Sequence, residues 1–202
     1  MKFVYVATED YLSEIVVERI IRIYGPELFI SVRIGGKGAG YLQSKIRDLR
    51  QVALGDVPVI LLADLDQKGC APELISDWMG ALPTPDKLVF RVAVREVESW
   101  LMAHRESFSE YFGIPRAKLS LAPEDLMNPK QTLLNLVRRH SVGDIKRDVL
   151  VERPGGPMQG LNYNSRLTDY VENCWDPRIA CAHARSLARA CDRIAKLEES
   201  YR

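Results

Sequence analysis

Four short apolar runs, each followed by a segment of helical periodicity, constrain this chain more than any other feature. Residues 2–7, 28–34, 57–63 and 88–94 are rich in Val, Ile, Leu and Phe. Residues 57–63 carry no polar side chain at all, which predicts a strand buried on both faces. Between the first two runs, Leu12, Ile15, Val16, Ile20 and Ile23 recur three or four positions apart. Glu14, Glu18, Arg19 and Arg22 fill the gaps, and Gly25-Pro26 ends the helix so predicted. Strand alternating with helix predicts an α/β fold. Parallel neighbours need a crossover, and the crossover helices cover the faces of a doubly wound sheet of about four mainly parallel strands.

Past residue 110 the strand pattern stops. Residues 129–139, 163–174 and 177–199 read as helices, and 147–164, with Pro154-Gly155-Gly156-Pro157, as a loop. The expected organisation is an α/β core over 1–110 and a helical C-terminal extension over 111–202 packed on it. At 47% hydrophobic the chain can fill a core. No run approaches the ~20 apolar residues of a membrane span, and the opening FVYVATED is too short and too acidic for a signal peptide. The expected location is cytoplasmic, with no membrane partner. Cys70, Cys174, Cys181 and Cys191 match neither a disulfide framework nor a zinc spacing.

The net charge of +1 conceals a split. Residues 1–110 carry −3 (13 Lys+Arg against 16 Asp+Glu), and 111–202 carry +4 (15 against 11). An acidic strand-bearing half beside a basic helical half suits a metal site next to a phosphate-binding surface.

Ligands of open α/β sheets bind at the carboxyl ends of the strands, and acids gather there. Glu9 follows the first run, Asp64 and Asp66 end the third, and Glu96 and Glu98 follow the fourth. Clustered carboxylates raise one another's pKa, and a bound cation relieves that cost. Mg²⁺ or Mn²⁺, taking oxygen ligands and keeping several waters, is the expected cofactor. If the strand continues through Asp66, Asp64 and Asp66 point the same way and Leu65 into the core. A Walker A motif is absent. The loop Gly35–Gly40 with Lys37 reads either as a flexible turn or as a phosphate cradle. Arg185, Arg189 and Arg193 recur every four residues, either as a solvated face paired with acids such as Asp192 and Glu172 or as phosphate contacts.

A Glu after the first strand, Asp-x-Asp after the third and the α/β alternation resemble the Toprim fold of topoisomerases, primases and OLD-type nucleases. The closer resemblance is to small Toprim-like proteins often encoded beside ABC-type ATPases or in bacterial phage-defence loci. The matching segments are Ala7-Thr8-Glu9-Asp10 with Leu12-Ser13-Glu14, Ala63-Asp64-Leu65-Asp66, Glu96-Val97-Glu98-Ser99-Trp100-Leu101 and Asn128-Pro129-Lys130. They fall within the first 140 residues. Asp10 replaces the glycine that usually follows the family's first Glu, and His104 stands at a position that is often acidic.

The resemblance implies Glu9 as the acid nearest the reacting phosphate, Asp64 and Asp66 as metal ligands, and Glu14 and Glu98 as supports of the site. Glu96, at the same strand end, joins the candidate ligands. Lys130 is placed to stabilise developing charge. The expected function is a metal-dependent nuclease in bacterial anti-phage defence. Its expected partner is nucleic acid, DNA in preference to RNA, contacted by Lys37, Arg185, Arg189 and Arg193. Two alternatives remain: a non-catalytic partner subunit of an ABC-type ATPase complex, and a phosphotransfer or nucleotide-hydrolysing enzyme. Self-association into a homo-oligomer is compatible with either. A covalent topoisomerase tyrosine at Tyr5 or Tyr11 would need a much larger protein.

Overall fold

The computed structural model describes residues 2–201. Its first half alternates β1 (Lys2–Thr8), α1 (Tyr11–Tyr24), β2 (Leu28–Gly35), α2 (Ala39–Ser44), α3 (Ile46–Leu54), β3 (Val59–Asp64), α4 (Ala71–Met79) and β4 (Leu88–Ala93). The four strands form one sheet in the order β2-β1-β3-β4, every pair parallel. This is the doubly wound α/β sheet expected. Strand alternation divides the apolar side chains between the two faces. Val4, Val6, Ile60, Leu62 and Val89 pack on the α1 side, and Ala7, Leu61, Ala63, Phe90 and Val92 on the side of α2, α3 and α4.

The chain continues through α5 (Val97–Ala103), α6 (Arg105–Phe112), α7 (Pro129–His140), α8 (Gly143–Val149), β5 (Leu150–Arg153), β6 (Gly156–Gln159), α9 (Tyr163–Asn173), α10 (Pro177–Ala180) and α11 (Arg185–Glu199). These helices share one apolar cluster with α1 and the sheet. Trp100, Phe108, Phe112, Tyr163, Tyr170 and Trp175 are its bulkiest members, all at most 1% exposed. The two tryptophans are tied at their polar ends. Trp100 Nε1 donates to Ser186 Oγ at 2.7 Å, and Trp175 Nε1 to the Trp100 carbonyl at 3.1 Å.

Several local expectations need correction. The segment 147–164 is not a loop, because β5 and β6 pair antiparallel across the two-residue turn Pro154-Gly155. Strands of four residues are too short to show alternation, and Pro157 lacks a ladder donor, a loss that an edge strand tolerates. The helix expected after the glycine loop is interrupted at Lys45, whose N–H reaches back three residues to the Leu42 carbonyl. The helix expected over 177–199 is broken at Ala184, which is extended (φ −138°, ψ 100°). No residue there has a capping side chain; Glu124, sixty positions away, caps α11 instead. Its carboxylate accepts from the backbone N–H groups of Arg185 and Ser186, both at 2.9 Å. Lastly, β3 ends at Asp64, and Asp66 lies in the left-handed region (φ 49°), so the strand parity argued for Asp64 and Asp66 does not apply.

Candidate active site at the switch point of the sheet

In the order β2-β1-β3-β4 the chain winds outward from β1 in one direction and from β3 in the other. The crevice between the carboxyl ends of β1 and β3 is the topological switch point, where open α/β sheets bind ligands. Glu9 leaves β1 and Asp64 ends β3 at that place. One oxygen of Glu9 accepts from the Asp64 backbone N–H at 3.0 Å, tying the two strand ends together. Asp64 Oδ1 in turn accepts from the backbone N–H of Val97 at 3.0 Å, at the start of α5. Asp66 follows on the exposed side, its backbone held by hydrogen bonds to Arg95.

Behind these acids lies Glu98, only 1% exposed. Its Oε1 accepts from Tyr163 Oη at 2.8 Å and faces Lys130 Nζ at 3.3 Å. Its Oε2 is buried with no hydrogen-bond partner. Glu96 has a different task. Its Oε2 accepts from the Lys130 backbone N–H at 2.8 Å, capping the Pro129 end of α7. The same cap brings the Lys130 side chain to the acids. Glu96 and Lys130 also line an open pocket of about 460 Å³ together with Pro157 and Met158 of the β5–β6 hairpin.

Burial pushes Glu9 up to about 7, against the opposing Asp64 N–H; Asp66 and Asp10 push it further and Lys130 pulls it back. Asp64 is raised well above the carboxylate range by burial first, then by Glu98, Glu9 and Asp10. Burial also raises Glu98, against Lys130. For Lys130, burial favours the neutral amine, but Glu98, Glu96, Asp10 and Asp64 reverse this and hold it charged. The lysine is thus the internal counter-cation of the cluster.

The other expected site residues lie elsewhere or serve other ends. Glu14 is not brought to the cluster. It sits on α1 against Arg33 Nε at 3.1 Å, and the same guanidinium binds Glu18. Lys37 is exposed, its ammonium 4.9 Å from the Tyr41 ring centroid. Its loop does adjoin the site, because the Gly38 N–H donates to the Glu9 carbonyl at 2.9 Å. Gly35 permits that approach, since a Cβ there would lie 1.9 Å from the Thr8 carbonyl oxygen.

Arg185, Arg189 and Arg193 do not line the crevice as a set. Helix α11 starts at the carboxyl end of β4, where Ser186 Oγ accepts from the Val94 N–H at 3.3 Å. It runs back along the strand until Arg193 donates to the Asp86 carbonyl at 2.9 Å, before β4 begins. Tyr163 and Asp10 were missed as site residues. Asp10 was legible as the α1 N-cap, accepting from the Ser13 N–H at 2.8 Å. Tyr163 carries no local signal, being brought to Glu98 by the packing of α9 alone.

Among the described residues, no group of three or more His, Cys, Asp and Glu side chains is gathered so that it could hold a metal ion. The donor chemistry nevertheless suits a hard cation. Asp66 and the second oxygen of Glu9 accept no hydrogen bond from the described residues, and the buried Glu98 Oε2 is orphaned. Mg²⁺ needs only one or two protein carboxylates when substrate phosphate and water complete its shell. Fold and site together define an open α/β protein with a carboxylate–lysine cluster at its switch point. No family model, curated protein or solved structure matches the chain.

Proposed function

We propose that this protein is a metal-dependent phosphodiester hydrolase of the Toprim type, acting on nucleic acid in the cytoplasm. The observation that carries the reading is the meeting of Glu9, Asp64, Glu98 and Lys130 at the switch point, with Glu9 raised to about 7. Asp64 and Asp66 would hold Mg²⁺ or Mn²⁺ together with a substrate phosphate and water, and bound metal would supply Lewis-acid polarisation of a phosphoryl oxygen. Glu9, hydrogen-bonded to the Asp64 backbone at the neighbouring strand end, would accept a proton from the attacking water. Lys130, held charged by its acids, faces the charge that grows on the phosphoryl group. Tyr163 and Lys130 fix Glu98, and Glu96 fixes the start of α7, so the lysine is oriented before substrate arrives.

A second reading is favoured by one specific observation. Lys130 already neutralises Glu98, and no three acids form a ready metal group among the described residues. On that reading the chain is a non-catalytic subunit of an ATPase complex with a vestigial site. The discriminating test incubates the protein with plasmid, linear duplex, single-stranded DNA and RNA in Mg²⁺, Mn²⁺ or chelator. Hydrolysis in either metal and none in chelator is the expected result. Intact substrates under every condition would leave the subunit reading.

A further inference from the structure

We infer that Arg91, Arg189 and Arg193 form a phosphodiester-binding clamp on the outer strand of the sheet, separate from the carboxylate crevice, which grips the nucleic-acid backbone beyond the scissile position. The inference rests on the nucleic-acid reading above and adds Arg91 as the centre and the outer strand as the place of binding.

Arg91 is the centre. It lies in the middle of β4, on the face where Val89 and Ala93 join the cluster that includes α11. Its neighbours in the strand are apolar, and an arginine at such a position ordinarily finds a carboxylate. Arg91 has none: its Nε is buried without a hydrogen-bond partner, and it makes no ion pair among the described residues. Helix α11 packs on β4 and brings the charges of Arg189 and Arg193 within electrostatic reach of it. Burial first, then the charges of Arg189 and Arg193, disfavour its protonated form, with Asp192 the single acid opposing them. Asp192 is itself engaged by Lys196 at 2.8 Å. Arg193 donates to a backbone carbonyl, that of Asp86, and Arg189 is exposed with no partner among the described residues.

Three guanidiniums gathered on one surface, with no carboxylate bonded to any of them among the described residues, are a cost to the isolated fold that an anion removes. Guanidinium forks match phosphate oxygens in pairs, and arginine is less heavily hydrated than lysine, so a half-buried arginine group suits phosphate. The placement suits a polymer better than a lone phosphate. Helix α11 starts beside the crevice, at the hydrogen bond between Val94 and Ser186, and ends its basic stripe before β4 begins. The six residues of β4 span about 20 Å, roughly six phosphates of one strand of a duplex. A strand whose scissile bond lies at Asp64 would thus reach the clamp.

The test measures binding of a fluorescein-labelled oligonucleotide of about 20 nucleotides, single-stranded and duplex, by anisotropy in chelator over a range of KCl concentrations. It compares wild type, Arg91→Gln, Arg91→Lys, the double variant Arg189→Gln/Arg193→Gln, and a control, Arg47→Gln/Arg50→Gln, on α3 beyond the opposite face of the sheet. Kd should rise about tenfold or more for Arg91→Gln and for the α11 double variant. The slope of log Kd against log salt should fall by roughly one to two units, and the control should match wild type. Arg91→Lys should recover only part of the loss, because the fork geometry is gone. Tripolyphosphate should raise the wild-type Tm and leave that of Arg91→Gln unchanged.

Equal Kd and salt slope in wild type and both clamp variants would overturn the inference, while metal-dependent cleavage by the same proteins would keep the proposed function. Clamp-dependent binding without any cleavage would support the clamp and remove the hydrolase reading. Displacement of the oligonucleotide by poly-glutamate at equal charge concentration would overturn the phosphodiester assignment in favour of an acidic protein partner.

Discussion

Glu9 bears the most informative charge in the molecule. Its folded pKa of about 7 lies above the ordinary value of 4.5, because burial disfavours the carboxylate. The fold therefore binds this proton more tightly than the unfolded chain does. No penalty exists below about 4.5; it grows as pH rises and is complete above about 7. Glu9→Gln removes the charge and keeps an oxygen to accept from Asp64. Urea unfolding should find the variant equal to wild type near pH 4.5 and more stable at pH 8 by about 2 kcal/mol, somewhat less than the full shift implies.

Lys130→Met acts in the opposite direction. It strips Glu98 of its counter-charge and should cost about 2 kcal/mol at pH 8, less than a fully enclosed pair because the lysine is about a third exposed. Asp66→Asn should shift stability by no more than about 0.5 kcal/mol, because the side chain is exposed and unbonded. In sequence Asp64 and Asp66 are equivalent members of one motif. The turn into left-handed backbone at Asp66 separates their burial, and nothing in the Asp-Leu-Asp pattern announces that turn.

At the scale of elements, two helices that frame the site are capped by carboxylates from distant parts of the chain, Glu96 for α7 and Glu124 for α11. Glu124→Ala leaves two backbone N–H groups and Ser186 without their acceptor, and should cost about 1–2 kcal/mol. Hydrogen exchange should show the loss concentrated in the first turn of α11. The strands were legible because each is a dense apolar run, and α1 because its period is clean and Asp10 caps it. The start of α11 was not, because its cap is tertiary, and β5 and β6 were not, because four residues cannot display a period. The acids at the strand ends were legible for the same reason as the strands. Glu14 was misplaced because a motif match does not reveal Arg33, which arrives from β2 and claims it.

Considered whole, the molecule joins a sheet whose carboxyl edge concentrates acids to a helical half that covers one face and carries the Arg stripe down the outer strand. The sequence halves already showed this division of charge. The direction of the stripe, away from the crevice, depends on α11 lying alongside β4 and is a property of packing only. Among the described residues no helix is long and apolar enough to cross a membrane. We propose that the switch-point acids carry out metal-dependent hydrolysis. The most direct measurement is the initial rate of Mn²⁺-dependent oligonucleotide cleavage by wild type, Asp64→Asn, Glu9→Gln and Glu14→Gln, with thermal unfolding showing each protein folded. Asp64→Asn and Glu9→Gln should each lose at least about a hundredfold in rate, the scale of losing a general base, while Glu14→Gln, paired to Arg33 outside the crevice, stays within about twofold of wild type. Folded Asp64→Asn and Glu9→Gln proteins that cleave at the wild-type rate would contradict the account.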